Sequence, residues 1–357
     1  MVVVVPKLLR MIKYLIIFFS VFINFSKSQV LVEAFQSTPK DSFTLNIETS
    51  AEPISLWFDV NFDDYILLHS SEKSKVYLVN CHNKSINEFS ISKSLYGIIG
   101  FGVLNSDTIY VVFSRCGRRG TDLLEIELKN HHDENKKILS LQASNANFGY
   151  INQKLCLLLS EWNNFFEVYE VVSKELKQKI QLPNIITHHS NSGFSYPYAR
   201  VHIFNDTIFA FNYSNNPTVY FLHSKKRYIV SSIANPNQPF KISKHIFDYI
   251  EHEIPVPMKL LEKHLKNYRY YWGLKSFEYG GRKYFYQFSV LPDEAKEMQD
   301  YRGIPHFLTV WNENFEVIKN LILPNEKFFI DFRGNLFHVM KSKDKLTIFD
   351  YGVIIGN

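Results

Sequence analysis

With 357 residues, the chain exceeds a typical single domain, although a large all-β ring can hold that many residues around one core. Apolar residues make up 46% and aromatic residues 16% of it, which excludes a disordered chain, and 14 Gly with 13 Pro exclude collagen-like or low-complexity sequence. The net charge of +5 is concentrated in the first 28 residues, which hold Lys7, Arg10, Lys13 and Lys27 and no acid. The remainder is close to neutral, so no nucleic-acid partner is expected.

Residues 1–28 read as an export signal. Lys7, Arg10 and Lys13 form a basic n-region, Tyr14 to Ile23 an apolar h-region, and Ser26-Lys27-Ser28 a small-residue cleavage site before Gln29. The alternative is an uncleaved anchor, the only membrane contact the sequence suggests. No Cys lies near the site, so the leader is not that of a lipoprotein. An exported chain with Cys81, Cys116 and Cys156 cannot pair all three internally. Cys156 sits in the apolar run Leu155 to Leu159 and is expected as a buried, inert thiol.

After a linker over 29–41, residues 42–357 are expected as one domain. Ser42 to Thr49 alternates Phe43, Leu45 and Ile47 against polar neighbours, the pattern of a half-buried strand. Strands then come in sets of four. The first set covers residues 54–91, the second 98–141, the third 148–182, the fourth 200–233 and the fifth 271–323. The fifth contains the clearest outer hairpin, Phe307 to Leu323, turning at Asn312-Glu313-Asn314. The sixth, over 328–351, is one strand short.

Within sets the first two strands are joined by Asn105-Ser106-Asp107, Asn152-Gln153, Asn205-Asp206, Gly280-Gly281-Arg282 and Arg333-Gly334. Asn, Asp and Gly tolerate the positive φ of tight hairpins. Four-stranded repeats of this length predict an all-β, six-bladed β-propeller. The surplus strand at Phe43 to Ile47 is expected to complete the last set and close the ring. A short helical insertion is expected around 240–267, where Ile246, Phe247 and Ile250 share a helical face and Leu261 and Leu265 lie four apart. A further helical turn or two is expected at 293–298. Long connections on a rigid scaffold either carry binding or cap the ring.

No catalytic constellation is present. The chain lacks GxSxG, HExxH, a Walker loop and a dinucleotide fingerprint. Asp59, Asp63 and Asp64 surround a turn but lack the Asp-x-Asp-x-Asp-Gly pattern of a calcium loop. His188-His189 and His131-His132 are adjacent pairs in polar loops. No metal and no cofactor is therefore expected. Two aromatic-plus-Arg clusters precede inner strands: Phe194 to Arg200 before the fourth set, and Tyr268 to Trp272 before the fifth. Tyr198, Arg200, His202, Arg269 and Tyr271 are the candidate binding residues, for a peptide, glycan or protein partner. The alternative is that the aromatic residues only pack the channel mouth.

Three stretches carry a resemblance: Phe277 to Phe288, Leu308 to Ile318, and Phe328 to Leu336 with Leu346 to Phe349. With them, the region from about Phe240 to Tyr351 resembles the C-terminal part of an uncharacterised family of exported, six-bladed, TolB-like propeller proteins of Bacteroidetes. The resemblance implies fold and export but no activity. An Arg often stands in that family where this chain has Gln287, and many members carry a lipid-anchored Cys that this leader lacks. The expected function is an exported non-enzymatic binding or scaffold protein; the alternative is a hydrolase or lyase in the central funnel.

Overall fold

The computed structural model describes residues 33–46, 55–58, 65–70, 75–80, 83–90, 95–105, 108–115, 121–127, 136–141, 145–160, 165–182, 199–213, 218–236, 270–271, 273–290, 306–324, 327–331, 333–342 and 345–356. The expected leader, the helical stretches at 240–267 and 293–298, and the pairs His131-His132 and His188-His189 lie outside these residues. So do Asp59, Asp63, Asp64, Cys81 and Cys116.

The described residues form strands, turns and bends and no helix. The first sheet joins β3 (Ser55–Phe58), β4 (Tyr65–Ser70), β5 (Lys75–Asn80) and β6 (Ser85–Ser90) in chain order. The second joins β7 (Leu95–Asn105), β8 (Thr108–Arg115), β9 (Thr121–Glu127) and β10 (Lys136–Leu141). The third joins β11 (Asn145–Ile151), β12 (Lys154–Ser160), β13 (Phe165–Glu170) and β14 (Glu175–Gln181). The fourth joins β15 (Ala199–Ile203), β16 (Ile208–Tyr213), β17 (Thr218–His223) and β18 (Ile229–Ala234).

The fifth sheet is larger. Its core is β21 (Arg282–Val290), β22 (His306–Trp311) and β23 (Val317–Leu323), with β19 (Tyr270–Tyr271) and β20 (Lys275–Tyr279) both pairing with β21. The short β1 (Glu33–Ala34) adds in parallel to β23 at the outer edge. The last sheet is β24 (Lys327–Ile330), β25 (Asn335–Ser342), β26 (Lys345–Val353) and, antiparallel to β26, β2 (Asp41–Asn46). The N-terminal strand thus supplies the missing fourth strand, as the strand count requires.

The five four-stranded sheets are arranged as blades of a β-propeller. In the first four sheets the first strands neighbour one another: β3 contacts β7, β7 contacts β11, and β11 contacts β15. Backbones crowd there. A Cβ on Gly100 would stand 2.8 Å from the Ala146 carbonyl oxygen, so this β7 position next to β11 requires glycine.

Apolar side chains alternate onto both faces of each sheet and fill the seams between neighbours. Tyr110, Val112 and Leu123 of the second sheet pack with Phe148, Leu155 and Leu157 of the third. Cys156, Leu158 and Phe166 meet Val201, Phe209 and Phe211. Ala210, Val219 and Phe221 meet Leu274, Phe285 and Trp311. Tyr286, Leu308 and Val310 meet Phe328, Ile330 and Leu336. Leu45, Phe337 and Ile348 meet Tyr77 and Val79 of the first sheet. Each large side chain removed from water in these seams contributes about 1.5–3 kcal/mol. Cys156 is buried and unbridged. Burial is the main cause that raises its thiol pKa, followed by the nearby Glu170 carboxylate, so it is an inert core residue.

The turns use two mechanisms. Asn152-Gln153 and Gly280-Gly281 both carry paired positive φ values, as does Gly334 singly at 84°, in the manner of primed hairpin turns. Asn205-Asp206 does not adopt positive φ. There Asn205 Oδ1 accepts from the Thr207 and Ile208 amides at 2.9 and 2.8 Å, an Asx-type turn. In the outer hairpin Asn312 Oδ1 accepts from the amides of Asn314 and Glu316. Phe315 then takes φ of 60°, so the second strand starts at Val317 and not at Phe315. A bulky residue in that region is strained. Its ring offsets the strain by packing against Phe204, Phe221 and Phe285 at 6.1, 4.9 and 5.2 Å between centroids.

Candidate binding site between the fourth and fifth sheets

The fifth set, expected to begin with a strand at Tyr271, opens instead with two short strands, β19 and β20. Tyr271 pairs with Ser289 and Lys275 pairs with Tyr286. The two pairings are out of step by one residue, the excess of a β-bulge, a feature that re-aims side chains. Gly273 lies in this bulge. A Cβ there would meet Arg200 Cβ at 3.5 Å and His202 Cδ2 at 3.8 Å, so the bulge lies directly against Arg200 and His202 of β15.

Strand alternation puts Arg200 and His202 on one face of β15, while Ala199 and Val201 are buried toward the third sheet. Register places Asn212 opposite Arg200, and Ala210 opposite His202. From the fifth sheet, Phe285, Gln287 and Ser289 share a face, with Trp311, Thr309 and Phe307 opposite them on β22. The seam therefore has two halves. One is aromatic: Phe204, Phe221, Phe285 and Phe315, with Trp311 only 1% exposed. The other is polar and equally buried: Asn212, Asn235, Gln287, Ser289, Thr309 and Asn320.

The polar half is partly satisfied. Asn235 Nδ2 donates to Gln287 Oε1 at 2.9 Å. The Thr309 hydroxyl reaches Asn320 Oδ1 at 3.2 Å and Asn235 Oδ1 at 3.4 Å. Asn212 Nδ2 donates to the Tyr213 carbonyl. Among the described residues, the buried polar atoms without a hydrogen-bond partner include three at this seam: Asn212 Oδ1, Ser289 Oγ and His202 Nε2. An unmet buried donor or acceptor costs about 1–3 kcal/mol, so three in one seam require an explanation.

His202 stands where the halves meet, and its protonation is fixed by geometry. Asn147 of β11 accepts from the Phe148 amide through Oδ1 at 3.1 Å and donates through Nδ2 to the Val201 carbonyl at 3.0 Å. An amide N–H can only donate and a carbonyl can only accept, so the Asn147 side chain has one orientation. Its Nδ2 also lies 2.8 Å from His202 Nδ1, which must therefore accept. His202 is the neutral tautomer with its proton on Nε2. Burial, followed by the positive charges of Lys275 and Lys283, lowers its pKa from 6.5 to about 3. β15 is fixed further by the Ser160 hydroxyl, which donates to the Ala199 carbonyl at 2.7 Å.

At the aromatic end Lys283 lies over the Phe204 and Phe285 rings at 5.3 and 5.7 Å. Burial lowers its pKa, partly opposed by the nearby Glu278 carboxylate. Cation–π contact and its bond to the Phe204 carbonyl at 3.4 Å hold it there.

Of the residues expected from sequence, Arg200 and His202 come together at this seam. Tyr198 and Arg269 lie outside the described residues, and Tyr271 is described only through its backbone pairing in β19. Asn147, Asn212, Ser289 and Gln287 were not anticipated. The signal for the last two was available: Gln287 and Ser289 recur at every second position among the aromatic and aliphatic residues from Phe285 to Val290. Among the described residues, no group of three or more His, Cys, Asp and Glu side chains is placed to hold a metal ion.

No protein-family model matches the chain, and no curated protein sequence matches it. Among solved structures, it is similar to a member of the DUF4221 family from Bacteroides vulgatus ATCC 8482, with a TM-score of 0.59 and 14% identity, covering 88% of this chain and 96% of that one. At this identity the likeness carries the propeller fold alone. In total 1030 solved chains match, and so widely shared a fold selects no activity.

Proposed function

We propose that the protein is an exported, non-enzymatic binding protein: a six-bladed propeller whose ligand, a peptide, glycan or protein segment, docks at the polar end of the seam between the fourth and fifth blades. Six blades are supported by the packed seams from the second sheet round to the last and back to the first, together with the contact of β3 and β4 with β7. Export is supported by the sequence of residues 1–28 and is tested by N-terminal sequencing of the secreted protein, expected to begin at Gln29.

One observation carries the binding reading. His202 Nε2, Asn212 Oδ1 and Ser289 Oγ are buried and unpartnered at one inter-sheet seam, a cost that a ligand with matching donors and acceptors would remove. Hydrolase or lyase chemistry in the funnel is disfavoured by the state of His202. Its Nδ1 lone pair is committed to Asn147, and a group that stays neutral to about pH 3 is a poor general base near neutrality. The test is a thermal-shift screen of glycans, peptides and metal ions on the full chain. A ligand whose shift is lost on Asn212→Leu supports the site. Ligands whose shifts survive that substitution overturn it.

A further inference from the structure

We propose that His202 is the ligand-selecting residue of this seam and that it receives a carboxylate, its Nε2–H donating to a carboxylate oxygen beside the Gly273 bulge. This deepens the binding reading above and rests on it. Asn147 leaves the ring only one proton, on Nε2, and that atom is buried without a partner. The adjacent Cδ2 edge faces Gly273, where an added methyl group would meet only ordinary contacts. Among the described residues, the charged groups acting on the ring are Lys275 and Lys283, and the Glu278 carboxylate acts on Lys283. An N–H donor with the Lys275 and Lys283 ammonium groups acting on its ring favours an anionic acceptor over a hydroxyl, because a charged acceptor forms the stronger bond. A carboxylate is the acceptor shared by peptide C-termini and acidic sugars, so one chemistry covers two of the proposed ligand sources.

The experiment uses the full mature chain and two matched pairs of probes: a dipeptide with a free C-terminus against its amide, and glucuronate against glucose. Imidazole 15N spectra, which report the tautomer, are recorded through each titration. The expected result is an Nε2–H tautomer without ligand, a shift of the His202 resonance with the carboxylate probes, and affinity at least about tenfold above that of the uncharged partners. His202→Phe is expected to abolish that preference, and His202→Gln, which keeps a donor, to retain most of it. Gly273→Ala fits without overlap and so folds, and is expected to weaken carboxylate binding by narrowing the space beside the ring.

An Nδ1–H tautomer overturns the inference. Equal binding of charged and uncharged probes, still lost in His202→Phe, overturns the ligand class and leaves the binding reading in place. Probes that bind without moving His202, or no binding by any probe, overturn the inference, and the binding reading falls with it only if the wider thermal-shift screen also finds no ligand whose shift is lost on Asn212→Leu. The pair that responds distinguishes a peptide from a sugar.

Discussion

Lowering the pH should destabilise this protein through His202, by an amount that can be isolated. An unfolded chain takes up a proton on this imidazole near 6.5, whereas the folded ring stays neutral until about 3. Between those values the unfolded state binds the extra proton. The stability tied to the neutral ring is therefore complete above pH 6.5 and is lost as pH falls toward 3. One proton corresponds to about 1.4 kcal/mol per pH unit, or about 2 kcal/mol between pH 6.5 and 5. Partial exposure of the ring reduces that to about 1–2 kcal/mol. The assay is urea unfolding at pH 7, 6 and 5 on the wild type and His202→Gln, which removes the titration but leaves the other histidines. The wild type should lose about 1–2 kcal/mol more than the variant over this range. Parallel pH dependence of the two proteins, or an NMR titration of His202 centred near 6.5, would refute the reasoning.

Three further substitutions probe the seam and the scaffold. Asn212→Leu removes a buried acceptor that has no partner but also the bond from Nδ2 to the Tyr213 carbonyl, so the unliganded protein should change in stability by no more than about 1 kcal/mol while ligand-induced shifts are abolished; chemical denaturation with and without ligand reads both. Thr309→Val removes the hydroxyl between Asn320 and Asn235 and should cost about 1–3 kcal/mol, recovered largely by Thr309→Ser, as measured by urea midpoints. Gly334→Ala places a methyl group 2.5 Å from the Phe277 ring at a φ of 84° and should cost about 2–4 kcal/mol, measured as a loss in melting temperature.

Local pattern made much of the scaffold legible. Runs such as Phe165 to Glu170 bury every second residue, and alternation of this kind is visible in sequence. The strand missing from the last set and the extra strand at Phe43 predicted the β2–β26 pairing. The β19–β20 break was not legible, because an extra residue in one strand is defined only against its partner, and Gly273 reads as one more strand residue. The residues of the proposed site were only partly visible in sequence. Arg200 and His202 stand out as charged or titratable residues at a strand start, but Asn212 and Ser289 are small polar residues that also occur harmlessly on exposed faces. Their importance comes from burial against the neighbouring sheet, a long-range property. The same holds for Asn147, which lies 55 residues from His202 in the chain and fixes its tautomer.

Hydrogen–deuterium exchange on the full chain, with and without a ligand from the screen, tests most directly that the polar end of the fourth–fifth seam is the binding site. Protection is predicted to concentrate in residues 199–203, 212–213, 233–235 and 285–289. Protection confined to the outer strands β6, β10, β14 and β18, or to the hairpins at 152–153 and 280–281, would contradict it.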